Sequence, residues 1–297
     1  MAEPQEVDPT KILKQVADAV PPDVKENIII VGSLAAAYWL FKDKKTFGVR
    51  TKDIDSVISP YVQAVNKGRE IAEKLLAEGW SPRQEGDFQK PGNADTPENE
   101  LPALRLFPPG EKVWFLELLT EPSSEAQTER QFTRFIVNGK DHYGLPSFAF
   151  MGVATFEAEA TPHGIRCARP RAMALANLLE NPKIREDKVK DTGMKRSNKD
   201  LGRVLAIARL SDEIEMEEWP KHWRRAIETC FPTRWKPLAA NAGAGLRELL
   251  ESPTNLSEAV NFCNTGLLAN LPVTQEQLRG TGLRLLRIVQ NFERAAT

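Results

Sequence analysis

Asn27-Ile28-Ile29-Ile30-Val31-Gly32-Ser33-Leu34-Ala35-Ala36-Ala37-Tyr38-Trp39-Leu40-Phe41, followed after a polar loop by Arg50-Thr51-Lys52-Asp53-Ile54-Asp55-Ser56-Val57-Ile58, decides how this 297-residue chain is read. The apolar run Ile28–Val31 predicts a buried strand. Gly32-Ser33 interrupts it as a tight turn. The small-residue segment from Leu34 to Phe41 reads as a helix, and Asp53–Ile58 as a second strand carrying two acids.

That order of elements has a chemical consequence. Residues two apart in a strand face the same side, so Asp53 and Asp55 project together with stems roughly 6–7 Å apart. Two carboxylates so placed suit Mg²⁺, which prefers oxygen ligands and completes its shell with water and phosphates. A metal pair about 3.5–4 Å apart can activate an attacking oxygen and stabilise a leaving one. Gly32-Ser33 at a helix start offers backbone N–H groups, a hydroxyl and the positive end of the helix dipole, all suited to a triphosphate. A Gly-Ser pair or an Asp-x-Asp triplet means little alone, and an Asp-Ile-Asp also occurs as a strand end with solvated acids. Their order, each in the setting its chemistry needs, gives them weight.

The pattern apolar strand, Gly-Ser, helix, Arg-Thr-x-Asp-Ile-Asp resembles the polymerase-β-type nucleotidyltransferase superfamily. It is most similar there to the abortive-infection nucleotidyltransferase toxins of bacterial toxin–antitoxin systems. The likeness covers residues 25–60 well and 100–210 loosely. It implies that Gly32 and Ser33 hold the nucleotide phosphates, that Asp53 and Asp55 bind the metals, and that Arg50, which opens the motif, belongs to the nucleotide site. The loop Lys42-Asp43-Lys44-Lys45-Thr46-Phe47-Gly48 is longer than in minimal members. In the superfamily a third acid on a later strand stands beside the pair and often helps activate the incoming hydroxyl.

Glu117 is the candidate for that third acid. The expected strand Lys112–Leu119 alternates Phe115, Glu117 and Leu119 on one face with Trp114, Leu116 and Leu118 on the other. A lone acid in so apolar a strand is costly to bury unless it is paired or binds metal. The alternative is an acid at a solvent-facing sheet edge.

Composition sets the outer bounds. With 41% hydrophobic and 27% charged residues the chain has material for a sizeable core. A net charge of -1 excludes a globally basic nucleic-acid binder and leaves room for local patches. Cys167, Cys230 and Cys263 are widely spaced and form no metal-ligand pattern, as expected of reduced thiols. No charged-then-apolar leader and no apolar run near about 20 residues is present, so the expectation is a cytoplasmic protein without membrane contact.

Around the central stretch, Met1–Val7 reads as disordered, and Asp8-Pro9 caps a helix with Ile12, Leu13, Val16 and Val20 on one face. Pro60–Glu78 reads as an amphipathic helix using Tyr61, Val65, Ala72, Leu75 and Leu76. A mobile loop is expected over Ser81–Glu100, then strands at Leu101–Phe107 and Lys112–Leu119, then further strands at Phe132–Val137 and Tyr143–Val153 about an Asn138-Gly139 turn. A hairpin is expected with arms Ala154–Ala160 and Ile165–Ala168. From Pro170 the pattern turns helical almost without interruption, placing a domain boundary between 168 and 169. The expectation is thus an α/β (α+β) fold. The resemblance implies a small mixed sheet with flanking helices over residues 1–168, a catalytic domain of the nucleotidyltransferase type. A helical domain would fill 169–297.

The helical half opens on a basic stretch holding Lys183, Arg185, Lys188, Lys190, Lys195, Arg196, Lys199 and Arg203. Lys195 and Lys199 stand at helical i,i+4 spacing and would share a face. The resemblance makes them nucleotide-phosphate ligands from across the cleft, with Lys199-Asp200-Leu201 matching the family's Lys-Asp or Arg-Asp pair. The family's usual lysine in the preceding helix is missing from Met173–Leu179. Read as residues alone, such a run is a solvated charged face. Trp219, Trp223 and Trp235 are expected to pack the helical core, and His222 to pack rather than catalyse. Thr274-Gln275-Glu276-Gln277 is a capping box for a last helix with Leu278, Leu283, Leu285, Leu286 and Val289.

The resemblance implies transfer of a nucleoside monophosphate from an NTP to an acceptor hydroxyl, with Mg²⁺ in a two-metal site and release of pyrophosphate. The acceptor would be tRNA, another RNA or a protein, and an antitoxin a possible partner. Transfer onto a small molecule, as in aminoglycoside nucleotidyltransferases, and an inactive binding protein on the same scaffold are the alternatives.

Overall fold

A computed structural model of the chain describes residues 6–42, 47–84, 90–189 and 192–294. Asp43–Thr46, the centre of the long loop before the acids, lie outside the described residues. So do residues 1–5 of the expected disordered segment, residues 85–89 of the expected mobile loop, and Lys190 of the basic stretch. Contacts divide the chain into two units. One comprises residues 1–35 and 51–168, the other residues 36–50 and 169–297.

In chain order the elements up to residue 168 begin with β1 (Glu6–Val7), α1 (Pro9–Ala19), β2 (Ile28–Ile30), α2 (Gly32–Leu40), β3 (Val49–Arg50), β4 (Asp53–Ile58) and α3 (Ala64–Ala77). There follow β5 (Ser81–Pro82), β6 (Arg105–Phe107), β7 (Phe115–Thr120), β8 (Gln131–Val137), β9 (Asp141–Ser147), α4 (Met151–Thr155), β10 (Glu159–Ala160) and β11 (Arg166–Cys167). Seven of these strands form a mixed sheet in the order β10-β11-β2-β4-β7-β6-β5, and β8 and β9 make a separate hairpin. β4 and β7 run parallel, and β2 runs antiparallel to β4. This is the mixed sheet that the sequence resemblance implies.

β2, β4 and β7 form the middle of the sheet because they carry its most apolar residues. Ile28, Ile29 and Ile30 are buried, as are all six residues of β7. On β4 the pleat separates the chemistry from the core: Ile54, Ser56 and Ile58 are buried on one face, while Asp53 is exposed and Asp55 half-exposed on the other. Gly68 brings α3 close to the buried face, where an added Cβ would come within 3.1 Å of Ile58 and 3.3 Å of Leu145. The Asp8 carboxylate accepts from the N–H groups of Thr10 and Lys11, capping α1 as expected.

Several boundaries differ from the sequence expectation. The strand predicted over Tyr143–Val153 ends at Ser147, and Met151–Thr155 forms α4. Here the Thr155 hydroxyl bonds back to the Met151 and Gly152 carbonyls and to the Glu121 carboxylate. Of the hairpin arms expected at Ala154–Ala160 and Ile165–Ala168, only Glu159–Ala160 pairs with Arg166–Cys167. α3 buries Ala64, Gly68, Ile71, Ala72 and Leu75, leaving Val65 exposed.

The unit that includes residues 169–297 contains α5 (Pro170–Glu180), α6 (Arg196–Leu210), α7 (Glu213–Glu217), α8 (Trp219–Cys230), α9 (Trp235–Ala240), α10 (Ala244–Glu251), α11 (Pro253–Thr265) and α12 (Gln275–Arg294). α6 is its axis, with Leu201, Val204, Leu205 and Ile207 fully buried. Gly202 admits α11, since a Cβ there would sit 3.2 Å from the Ala259 carbonyl oxygen. Trp219 and Trp223 are buried as expected, and the Trp223 indole donates to the Arg171 carbonyl. The capping box forms in both directions: Gln277 N–H donates to the Thr274 hydroxyl and Thr274 N–H to the Gln277 amide oxygen. Leu283 departs from the expected face and is 49% exposed.

Candidate active site

The turn after β2 and the acids of β4 meet through backbone geometry. Pairing of β2 with β4 continues one residue past the strand, with Val31 N–H donating to the Asp55 carbonyl at 3.0 Å. The next residue, Gly32, has φ +75°, a conformation side-chain-bearing residues rarely adopt. A Cβ on it would lie 2.8 Å from Asp55 Oδ2. Glycine is therefore required here twice over, by its dihedral and by the carboxylate lodged against its backbone. Because α2 begins at Gly32, that carboxylate also stands at the helix start, where the dipole favours negative charge.

Thr51 is buried, and its hydroxyl donates to Asp53 twice, to the carbonyl at 3.2 Å and to carboxylate Oδ1 at 3.1 Å. Thr51 belongs to the motif that carries the resemblance, but its role as the group that orients Asp53 emerges only from the side-chain geometry.

Parallel pairing of β4 with β7 sets Asp53 opposite Phe115 and Asp55 opposite Glu117. In-register neighbours point to the same side about 4.8 Å apart, so Glu117 stands beside Asp55 on the acid face. The Ser56 hydroxyl ties the two strands by donating to the Glu117 carbonyl at 3.0 Å. Glu117 is buried at 6% exposure, so it is no solvent-facing edge acid. Its carboxylate is forked by Arg105 of β6, with Nε to Oε2 at 2.7 Å and Nη2 to Oε1 at 3.2 Å. Arg105 was not anticipated from the sequence.

A divalent cation of the Mg²⁺ kind is held through one or two carboxylates, with waters and phosphates completing the shell. Asp53 and Asp55, on one face and reachable from solvent, fit that donor set. Glu117 fits it poorly, because both its oxygens are engaged by a guanidinium. Among the described residues no three His, Cys, Asp or Glu side chains gather closely enough to hold one metal ion.

The remaining candidates lie in the other unit. Arg50 is exposed on β3. Lys195 is the N-cap of α6 with extended backbone, and its carbonyl accepts from the N–H of Lys199 inside the helix at 3.2 Å. Lys195 Nζ sits 2.8 Å from the Glu186 carboxylate, whose hydrogen bond holds the ammonium above its usual pKa. The basic stretch as a whole is interleaved with acids: Arg185 pairs with Glu180, Arg196 with Asp187 and Arg203 with Asp200. Among the described residues from Lys183 to Lys195 it is not helical. Cys167 and Cys263 are buried, and burial pushes the Cys263 thiol up to about 12, out of reach of thiolate chemistry. No described helix is long and apolar enough to cross a membrane.

No family model matches the sequence, and no curated protein matches it. Among solved structures, the chain is similar to an antigenic nucleotidyltransferase-like protein from Paracoccidioides brasiliensis. The match has 14% identity over 82% of this chain and 96% of that one, with a TM-score of 0.35. A likeness that low says nothing about what either chain does.

Proposed function

We propose that the chain is a Mg²⁺-dependent nucleotidyltransferase that moves a nucleoside monophosphate from an NTP to an acceptor hydroxyl. The observation that carries this is the Gly32 backbone seated against the Asp55 carboxylate at the start of α2, with Asp53 on the same face of β4. The acceptor oxygen bonds to the α-phosphorus, the bond from that phosphorus to the bridging oxygen breaks, and pyrophosphate leaves with the electron pair. The acceptor's proton passes to solvent.

In this reading Asp53 and Asp55 hold the cation, and Thr51 fixes the rotamer of Asp53. Bound Mg²⁺ supplies charge neutralisation on the phosphates. The Gly32-Ser33 turn offers its N–H groups and hydroxyl to phosphate oxygens, which the α2 dipole also favours. Phosphoryl transfer is mostly positioning and electrostatics, which is what these residues provide. An RNA or protein hydroxyl as acceptor, and a toxin-like role with an antitoxin partner, rest on the sequence resemblance.

The test is thermal unfolding with each NTP, with and without Mg²⁺. A ligand at 100 times its Kd stabilises the folded state by about 2.7 kcal/mol. At least one NTP is expected to raise Tm only when Mg²⁺ is present, and Asp55→Ala to lose the shift while unfolding normally on its own. A Tm that no NTP moves, or that moves equally in Asp55→Ala, overturns the reading.

A further inference from the structure

Three strands of the sheet, with the residue just past the end of β5, carry an ordered row of charge. Arg83 N–H donates to the Arg105 carbonyl at 2.8 Å, Arg105 lies opposite Glu117, and Glu117 opposite Asp55. One step along the strands, Phe115 stands next to Asp53 and packs edge-on against Phe107. The Phe115 ring carries both guanidiniums, with the Arg83 carbon 4.7 Å and the Arg105 carbon 5.5 Å from its centroid. Arg105 is thus held by the carboxylate on one side and by the ring on the other, its side chain only 21% exposed.

This fixes what Glu117 can do. Its side chain is 8% exposed and its two oxygens face the five-donor guanidinium fork of Arg105. A divalent cation shared by Glu117 and Asp55 would stand close to that guanidinium and be repelled by it in a partly desolvated setting. Without Arg105, Glu117 would be a third carboxylate beside Asp55 and would strengthen any cation site there.

We propose that Arg105 is a positioning residue that clamps Glu117 away from the metal and leaves Asp53 and Asp55 as its carboxylate ligands. The inference rests on the nucleotidyl-transfer reading of those two acids. Glu117 then acts as a strut, joining β6 to β7 next to the site.

The test is Mn²⁺ binding to the full chain by calorimetric titration, with melting curves recorded for each variant. Glu117→Gln alone is unsuitable, because it releases Arg105 beside Asp55. The neutral pair Arg105→Gln/Glu117→Gln leaves no uncompensated charge and is expected to keep the wild-type Mn²⁺ affinity within about threefold. Arg105→Gln alone is expected to bind Mn²⁺ at least about tenfold more tightly, since it adds a carboxylate to the ligand set. A purely structural Arg105 would lower Tm without tightening the ion. A loss of tenfold or more in the double variant makes Glu117 a ligand and overturns the inference, and this variant decides the matter if Arg105→Gln does not fold. Wild-type protein that binds no Mn²⁺ overturns the nucleotidyl-transfer reading itself.

Discussion

The sheet and the basic stretch of the helical unit both carry dense charge, and they handle it in opposite ways. On the sheet, Asp53 and Asp55 share one face of β4, and Glu117 in the neighbouring register position is paired with Arg105, so strand geometry sets two like charges side by side next to an ion pair. Along the described part of Lys183–Arg203, opposite charges are interleaved and close on each other across a nine-residue separation, as in Lys195–Glu186 and Arg196–Asp187. Like charge held together by a rigid sheet is costly and suits a ligand of opposite sign. Charge that neutralises itself locally is cheap and needs no ligand.

The largest effect that could break this contrast is at Asp55. Asp55→Ala should lower turnover by at least about 10³-fold with a near-wild-type Tm, because the side chain is expected to hold a metal rather than the fold. Gly32→Ala comes next. It places a Cβ 2.8 Å from Asp55 Oδ2 in a left-handed backbone, costing about 1–2 kcal/mol, and displaces the carboxylate. Chemical denaturation and a turnover assay should both register it. An unaffected Gly32→Ala would mean that the turn and the acid do not work together.

Thr51→Val keeps shape and removes the hydrogen bond to Asp53. Groups that orient a metal ligand typically carry 10–100-fold in affinity, so Mn²⁺ binding should weaken by about tenfold with little change in Tm. The smallest effect sharpens the other side of the comparison. Glu186→Gln/Asp187→Asn releases Lys195 and Arg196 from their partners. tRNA should then bind more tightly, with the salt slope steeper by about 2 for two new phosphate contacts. If the wild-type stretch already binds as tightly and as steeply, its charge is not self-neutralised in the way the ion pairs indicate.

The part of the site that could be read in the sequence is the part built from consecutive elements. Strand, Gly-Ser turn, helix and second strand follow one another within 32 residues, and the period-two spacing of Asp53 and Asp55 puts both on one face without knowledge of any partner strand. Glu117 stood out as an acid in an apolar strand. That it faces Asp55 depends on β4 and β7 pairing in parallel, and that it is clamped depends on β6 lying beside β7 in one register. Neither register has a local signature. Arg105 was therefore invisible as a site residue, although it is only 12 positions from Glu117.

Elsewhere the limits were of a different kind. Short apolar runs do not distinguish strand from helix, which is why the strand expected from Tyr143 runs on to Val153, into what is α4. The i,i+4 spacing of Lys195 and Lys199 assumed that the helix already covered both, whereas α6 starts at Arg196 with Lys195 as its cap. The capping box at Thr274, by contrast, carries its own boundary in its residues and formed as expected.

The most direct test of the central claim is a transfer assay with ATP, GTP, CTP and UTP, each labelled in turn at the α- or the γ-phosphate. Purified protein, Mg²⁺ and either total tRNA or cell lysate would be incubated beside Asp55→Ala. The account predicts that α-label from at least one NTP becomes attached to an acceptor, that γ-label is released as pyrophosphate, and that Asp55→Ala does neither. Transfer of γ-label, or α-label transferred equally well by Asp55→Ala, would contradict it.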